Sequence, residues 1–215
     1  MDSRLQQTSL RDQALAVLKL RLISGDLAPG QIYSAVSIAN ELGVSNSPVR
    51  EAMLTLVNQG LLETVKNRGF RVVPLSDKER RNVYDLRVMI EIPAMAKLAG
   101  LKDRIAGHYA EFRDIAGQIV SSAEAGDIVG YLNHDQKFHI GLLSLLENDH
   151  LTAIVGNLRD QSRQYGLKKL SERGDLVKSA EEHLPILNAL ADGDAARTID
   201  LMTNHLSHHL GAWAG

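Results

Sequence analysis

The chain has no cysteine among its 215 residues, which excludes a disulfide framework, thiolate chemistry and any zinc site built on sulfur. Aromatic residues are scarce at 4% while hydrophobic residues make up 44%, so the interior must be packed from aliphatic side chains. Net charge is nearly absent too, at −2 from 24 basic and 26 acidic residues, and the chain as a whole lacks the basic balance of many nucleic-acid-binding proteins. Division at residue 75 changes this only a little: eight basic and six acidic residues precede it, sixteen and twenty follow. No uninterrupted apolar run approaches the ~18 residues that a membrane span needs. The polar start, Met1-Asp2-Ser3-Arg4-Leu5-Gln6-Gln7, lacks the apolar centre of a secretory signal. The expectation is a cytoplasmic protein of one or two domains with no membrane partner.

Within this near-neutral chain, the stretch from Ser34 to Val73 carries an ordered set of signals. Ile38, Ala39 and Leu42 share one face of a short helix from Ser34, and Gly43 stands where a helix C-terminus needs a residue that tolerates positive φ. Ser45 or Ser47 can cap a second helix with Pro48 in its first turn, where amides have no helical partner. Val49, Ala52, Met53, Leu56 and Val57 recur at helical spacing as its buried stripe, leaving Asn46, Ser47 and Arg50 clustered off that stripe at the N-terminal end. Gly60 closes the helix. Leu61 to Val65 and Phe70 to Val73 then flank the turn Lys66-Asn67-Arg68-Gly69, which predicts a hairpin with a basic tip. Helix, tight turn, helix and basic wing is the order with which a winged helix-turn-helix meets the major groove of double-stranded DNA.

These residues resemble a known family. Gly25-Asp26-Leu27-Ala28-Pro29-Gly30, Ala39-Asn40-Glu41-Leu42-Gly43-Val44-Ser45, Pro48-Val49-Arg50-Glu51-Ala52 and Asn67-Arg68-Gly69-Phe70 are similar to the GntR family of bacterial transcription regulators over residues 9 to 75. The family usually has Arg where this chain has Asn46, so one basic contact is replaced by a neutral amide. Candidate DNA-binding residues are Ser45, Asn46, Ser47, Arg50, Lys66, Arg68 and Gly69, with Arg50 the candidate guanine contact, Arg68 reaching the minor groove or phosphates, and Gly69 permitting close approach. Lys66 and Arg71 would add sequence-independent phosphate affinity.

Before the hairpin, Leu10, Ala14, Val17, Leu18 and Leu22 give a helical face over Ser9 to Ile23. After it, Ser76-Asp77-Lys78-Glu79 reads as a capping box opening a helix to about Ala99, kinked by the interior Pro93. Further helices are predicted at about 102–124, 127–146, 149–170, 176–191 and 195–212, separated by Gly126-Asp127, Asn148-Asp149, Gly174-Asp175 and Gly193-Asp194. The predicted fold is mainly α: a winged helix-turn-helix over residues 1–75 and an antiparallel six-helix bundle over 76–215.

Seven of the eight histidines follow residue 130, all but His108. Asp135 and His139, four apart, project from one helix face, and His183 and His205 lie on two further helices, so a carboxylate and three imidazoles can converge on a divalent metal in the bundle core. His134 points about 100° away from Asp135; His209 is one turn beyond His205 and could replace or support it; His150 and His208 are expected in solvent.

A second resemblance covers this half. Asp135-x-x-Phe138-His139, Glu182-His183-x-x-Ile186-x-x-Ala189-Leu190-x-x-Gly193-Asp194, Met202 and His205 are similar to the FCD ligand-binding domain of FadR-type GntR regulators, in the shorter VanR-like branch. The resemblance implies a metal held by Asp135, His139, His183 and His205, with zinc expected and nickel or manganese as alternatives. It also implies that Arg87, in Asp85-Leu86-Arg87-x-x-x-Glu91, faces a cavity and binds an effector carboxylate, against the plainer reading of a surface ion pair with Glu91. Asn157, Arg159 and Arg163 are candidates for the same cavity.

Together these features point to a dimeric, ligand-responsive transcription regulator, a repressor in the family's commoner sign, whose partners are operator DNA and a small carboxylate effector. It is not read as an enzyme. A metal-dependent hydrolase would need a general base near the ligands, and Glu182, adjacent to His183, should point elsewhere. The same residues would also suit a sensor for the metal ion itself, or a structural metal beside an apolar effector pocket.

Overall fold

Ser9 holds the chain extended, and its hydroxyl accepts from the Asp12 amide to start α1 (Leu10–Ser24); Gly25, at φ 86°, ends that helix. The structure, a computed structural model, describes residues 9–172 and 175–211, with side chains described through 163 and again from 175 to 207. The chain divides into two compact units, Met1–Pro74 and Leu75–Gly215.

In the first unit, α2 (Ala35–Leu42) ends at Gly43 with φ 66°, and α3 (Asn46–Asn58) follows after the extended Ser45. Pro48 lies in the first turn of α3, where its missing N–H costs nothing. Val49, Ala52, Met53 and Leu56 turn inward and pack with Leu18 and Leu22 of α1 and Ile38 of α2. The hairpin forms as predicted: β2 (Leu62–Val65) and β3 (Gly69–Val72) pair antiparallel from Val65 opposite Gly69 to Leu62 opposite Val72, and Asn67 takes positive φ at the tip. A third strand, β1 (Ile32–Tyr33), has no counterpart among the predicted elements; it pairs with the other edge of β3, giving the order β1-β3-β2. Two residues are too few to show an alternating pattern.

The second unit starts as its sequence announces. Ser76 and Glu79 form a reciprocal capping box, and α4 (Asp77–Ala99) runs through Pro93. Two of the six predicted helices are each divided among the described residues. The first becomes α5 (Lys102–Ala106) and α6 (Tyr109–Glu124), parted at Gly107 and His108. The second becomes α9 (Leu176–Glu181) and α10 (His183–Asp192), and the cause is Pro185. A proline ring clashes with the carbonyl four residues earlier and has no N–H to give, so the helix stops upstream and restarts with Pro185 in its first turn. Between these lie α7 (Ile128–Ser144) and α8 (Asp149–Glu172), and α11 (Ala195–Gly211) is the last element among the described residues. Asp127, Asn148 and Asp194 each accept from an amide three residues on, capping α7, α8 and α11; Asp175 stands at the N-cap of α9, but its side chain makes no capping bond there and instead pairs with Lys178. α4 packs on α8 and α11, α7 on α6 and α8, and α10 on α4, α6 and α11. Among the described residues no helix is long and apolar enough to cross a membrane.

Gly69 has a structural use inside the sheet: its φ is 121°, and an added Cβ would lie 2.3 Å from the Tyr33 carbonyl oxygen. Gly69→Ala is expected to destabilise the first unit by about 1–3 kcal/mol. Gly117→Ala, in open space on α6, should be neutral or stabilising by up to about 1 kcal/mol. Chemical unfolding of the two variants beside the parent checks both, and equal stability of Gly69→Ala and parent would refute the close approach.

Candidate metal centre and nucleic-acid interface

Asp135 and His139 stand one turn apart on α7, His183 opens α10 and His205 lies on α11. All four are buried, and one ligand-capable atom of each lies within 4.8 Å of all the others. His139 Nε2 is 3.2 Å from the Nε2 of His183 and 3.2 Å from that of His205, while His183 Nε2 is 3.2 Å from Asp135 Oδ1. The opposite ring nitrogens fix the protons. His183 Nδ1 lies 2.9 Å from the Ala180 carbonyl oxygen, and His205 Nδ1 lies 2.8 Å from Glu182 Oε2. A carbonyl and a carboxylate only accept, so each Nδ1 carries its hydrogen and each Nε2 turns a bare lone pair to the centre.

Burial, reinforced by the nearby Arg159 charge, holds His139 well below the ordinary histidine pKa. Burial likewise lowers His183 and His205 to about 4, against the hydrogen bonds to Ala180 and Glu182 that would raise them. Neutral imidazoles with inward lone pairs repel unless something positive lies among them; at most one hydrogen, on His139, remains to bridge three nitrogens. Three imidazole nitrogens and a carboxylate oxygen are a donor set suited to a borderline divalent ion, and these residues therefore fit the metal that the FCD resemblance implies.

The other Asp135 oxygen opens onto a guanidinium cluster. Oδ2 accepts from Arg159 Nη2 at 2.6 Å and also pairs with Arg163. Arg159 Nη1 reaches Glu91 Oε2 at 3.1 Å, and Arg87 grips Glu91 through Nε at 2.6 Å and Nη2 at 3.3 Å. Arg87 Nη1 donates to Ser162 Oγ at 3.0 Å, and Arg163 Nη1 to Gln136 Oε1 at 3.0 Å. Burial alone would raise the Glu91 carboxyl, but Arg87 and Arg159 more than offset it and its pKa lies below the ordinary value. Burial lowers Arg163 to about 10, which leaves it cationic at neutral pH.

The sequence-predicted residues thus fall as follows. The four ligand candidates come together. Arg87 pairs with Glu91, but in the core rather than at the surface, at 1% exposure, and with its donors on Glu91 and Ser162. Asn157 is half-buried, and among the described residues its Oδ1 has no hydrogen-bond partner, nor has Arg159 Nε. Arg159 holds the middle of the cluster, although its spacing marks it no more than its neighbours. Glu182 corrects an expectation: it does not point away but bonds His205, because the Pro185 break takes it off any continuous helix with His183. Ser162 and Gln136 carry no sequence signal. His134 turns to Ser122 at 3.2 Å, His150 is exposed, and the side chains of His208 and His209 lie outside the described residues.

In the first unit Ser45, Asn46, Ser47 and Arg50 are exposed at the start of α3, with Ser47 Oγ donating to Glu51 at 3.1 Å. Lys66 and Arg68 are exposed at the hairpin tip. Asn46, Arg50, Lys66, Arg68 and Gly69 line one cleft of about 570 Å³ between that helix end and the wing. Arg71, expected to serve phosphates, pairs across the strands with Glu63 at 2.6 Å, which offsets its charge.

Comparison with known proteins places this arrangement. Residues 10–72 match the family described as bacterial regulatory proteins, gntR family, and residues 82–208 match the FCD domain. A probable D-xylose utilization operon transcriptional repressor of Paenarthrobacter nicotinovorans is 29% identical over 98% of this chain and 92% of its own length. The gluconate operon transcriptional repressor of Bacillus subtilis (strain 168) is 28% identical over 80% of this chain and 68% of its own length. Among solved structures, E. coli McbR/YncC has the same fold at a TM-score of 0.81 and 24% identity, covering 95% of this chain and 97% of that one. A helix-turn-helix joined to a helical FCD domain defines a bacterial transcription regulator. The chain belongs to the GntR family of such regulators.

Two measurements follow from the buried charges. Arg159→Met removes the shared partner of Glu91 and Asp135 and should cost on the order of 3 kcal/mol, read by urea unfolding at neutral pH. In metal-free protein the folded-state pKa values of His183 and His205, about 4, lie below the unfolded value of 6.5. The unfolded chain therefore takes up protons first: stability should be level above pH ~7 and fall as pH drops from ~6.5 toward ~4. A His183→Asn/His205→Asn variant should lose that part of the profile, and an unchanged profile would contradict the burial of neutral imidazoles.

Proposed function

We propose that this regulator is a homodimeric, metal-containing repressor whose DNA affinity responds to a small organic acid, with residues 1–75 binding the operator and 76–215 binding effector and partner subunit. The observation that carries the reading is the convergence of three inward Nε2 atoms and Asp135 Oδ1 beside the Arg87, Arg159 and Arg163 guanidinium groups. The ion proposed is zinc, with nickel or manganese as alternatives; when bound it supplies positive charge and a Lewis-acidic centre beside the guanidinium cluster. Asp135, His139, His183 and His205 would hold it.

Arg163, Arg87 and Asn157 are assigned to the effector. The guanidinium donors rest on internal carboxylates, Glu91 and Asp135. An incoming acid competes for those donors, and a preference for one arrangement of the protein shifts DNA binding by the ratio of its affinities for the two. Two copies would present α3 to half-sites ~34 Å apart. Arg50 reads guanine, Asn46, Ser45 and Ser47 offer neutral polar contacts, and Lys66, Arg68 and the Gly69 turn meet backbone or minor groove. Support for the dimer comes from Leu86 and Met89, 45% and 69% exposed and one turn apart on α4, an apolar strip of the kind a second copy covers.

The test is thermal unfolding of metal-quantified protein against small carboxylic acids, with and without chelator; gluconate belongs in the panel because one relative is named for a gluconate operon. An acid at ~100 Kd adds about 2.7 kcal/mol. The expected result is one acid whose shift requires metal and is lost in Arg163→Ala and His183→Ala. Chelation that abolishes DNA binding while no acid shifts the protein would instead make the ion the signal. Protein that retains no metal and responds to no acid would remove the site. Separately, Arg50→Ala should weaken operator binding by about 1–3 kcal/mol in a salt-controlled titration.

A further inference from the structure

Glu182 is the one residue between α9 and α10, and both of its carboxylate oxygens are taken by consecutive residues of α11. Oε1 accepts from Asn204 Nδ2 at 2.7 Å and Oε2 from His205 Nδ1 at 2.8 Å. The His205 side chain is 2% exposed and that of Glu182 20%. His205 then places Nε2 3.2 Å from the Nε2 of His139, inside the ligand cluster. We propose that Glu182 is a positioning residue of the metal centre: a carboxylate, itself oriented by Asn204, that fixes the tautomer and ring orientation of His205 and strengthens it as a ligand.

The inference rests on the metal reading and deepens it. A metal-bound imidazole gains from a carboxylate on its other nitrogen in two ways: the hydrogen is confined to Nδ1, leaving Nε2 free, and negative charge nearby makes Nε2 a stronger donor. The three histidines are not served alike. His183 has a backbone carbonyl in this place, Ala180, and His139 Nδ1 has no hydrogen-bond partner among the described residues. Of the three, among the described residues, His205 alone has a carboxylate bonded to its other nitrogen. The Asn204 bond serves to hold the carboxylate: with Oε1 accepting from Asn204, Oε2 is kept turned toward His205 rather than toward solvent.

The test measures metal affinity on the full chain, by Zn²⁺ competition against a calibrated chelator and by the visible absorption of the Co²⁺-substituted protein. Glu182→Ala should lower Zn²⁺ affinity about 10- to 100-fold. Glu182→Gln, which still accepts a hydrogen bond but carries no charge, should fall between parent and Ala, and Asn204→Ala should show a smaller loss in the same direction. The Co²⁺ spectrum should change in Glu182→Ala and move back toward the parent's in Glu182→Gln. A further readout separates positioning from mere structural support: in a His205→Ala background, Glu182→Ala should cost no further metal affinity, since the group it acts through is gone. Metal-free melting temperatures identify any variant that has lost its fold, and Asn204→Ala, an exposed residue, keeps the test open if Glu182→Ala does.

Parent protein that binds neither ion overturns the metal reading and the role of Glu182 with it. Parent that binds while Glu182→Ala binds equally well, or a Glu182→Ala penalty that persists undiminished without His205, overturns the role of Glu182 alone.

Discussion

The second unit depends on a single carboxyl group that is used from both ends. Asp135 sends one oxygen toward three imidazoles and the other toward two guanidinium groups, all of them buried. An ion pair of this kind is costly to desolvate and is retained only if its remaining donors and acceptors find partners. Here all but Arg159 Nε do so among the described residues, through Glu91, Ser162 and Gln136, so that α4, α7 and α8 are tied by directional bonds rather than by apolar contact alone. The His cluster adds α10 and α11 to the same set. Aliphatic packing surrounds this polar centre, with Phe138 set edge-on against His139 and His183. In a chain with so few aromatics, one of three phenylalanines is spent on walling the imidazoles off from water.

That arrangement gives the bundle a property that a purely apolar core lacks. Leucine and isoleucine can slide or repack at small cost, whereas a guanidinium that leaves its carboxylate strands a buried charge. The network therefore has few alternative states, each with a definite set of partners. A ligand that offers a carboxylate of its own would choose among those states, which is the physical requirement for a binding event to be felt elsewhere in a protein.

Much of this was legible in the sequence because it depends on local rules. Ser9, Ser76, Asp127 and Asp194 announce helix starts through side-chain caps, and Gly43 and Gly193 announce ends through positive φ. The i, i+4 spacing of Asp135 and His139 is a property of one helix, and it was readable. That His183 and His205 would join them rested on a family likeness, since no spacing rule reaches across helices. The features that were not legible follow the same division. β1 is too short for a pattern and exists only because β3 lies beside it. The α9–α10 break was signalled by Pro185, but the apolar period through Ile186, Leu187 and Leu190 hid it. Burial of Arg87 had no local signal, because a guanidinium on a helix reads as a surface group; only the family resemblance turned it inward, toward a cavity, and its partners Glu91 and Ser162 emerge from the fold.

The small sheet of the first unit carries a genetic consequence. Because β1 is bonded to β3 and Tyr33 passes against Gly69, the loop before α2 is stitched to the wing, and the next residue, Ser34, is the N-cap of α2. The wing and the helix pair are thereby held in one register like a stencil, with the segment Ala28–Tyr33 as the seam between them. Substitutions in that seam, none of them on the exposed tip, are then expected to tilt the stencil as a whole. Selections for altered operator preference in this lineage should recover changes there as well as in the recognition helix.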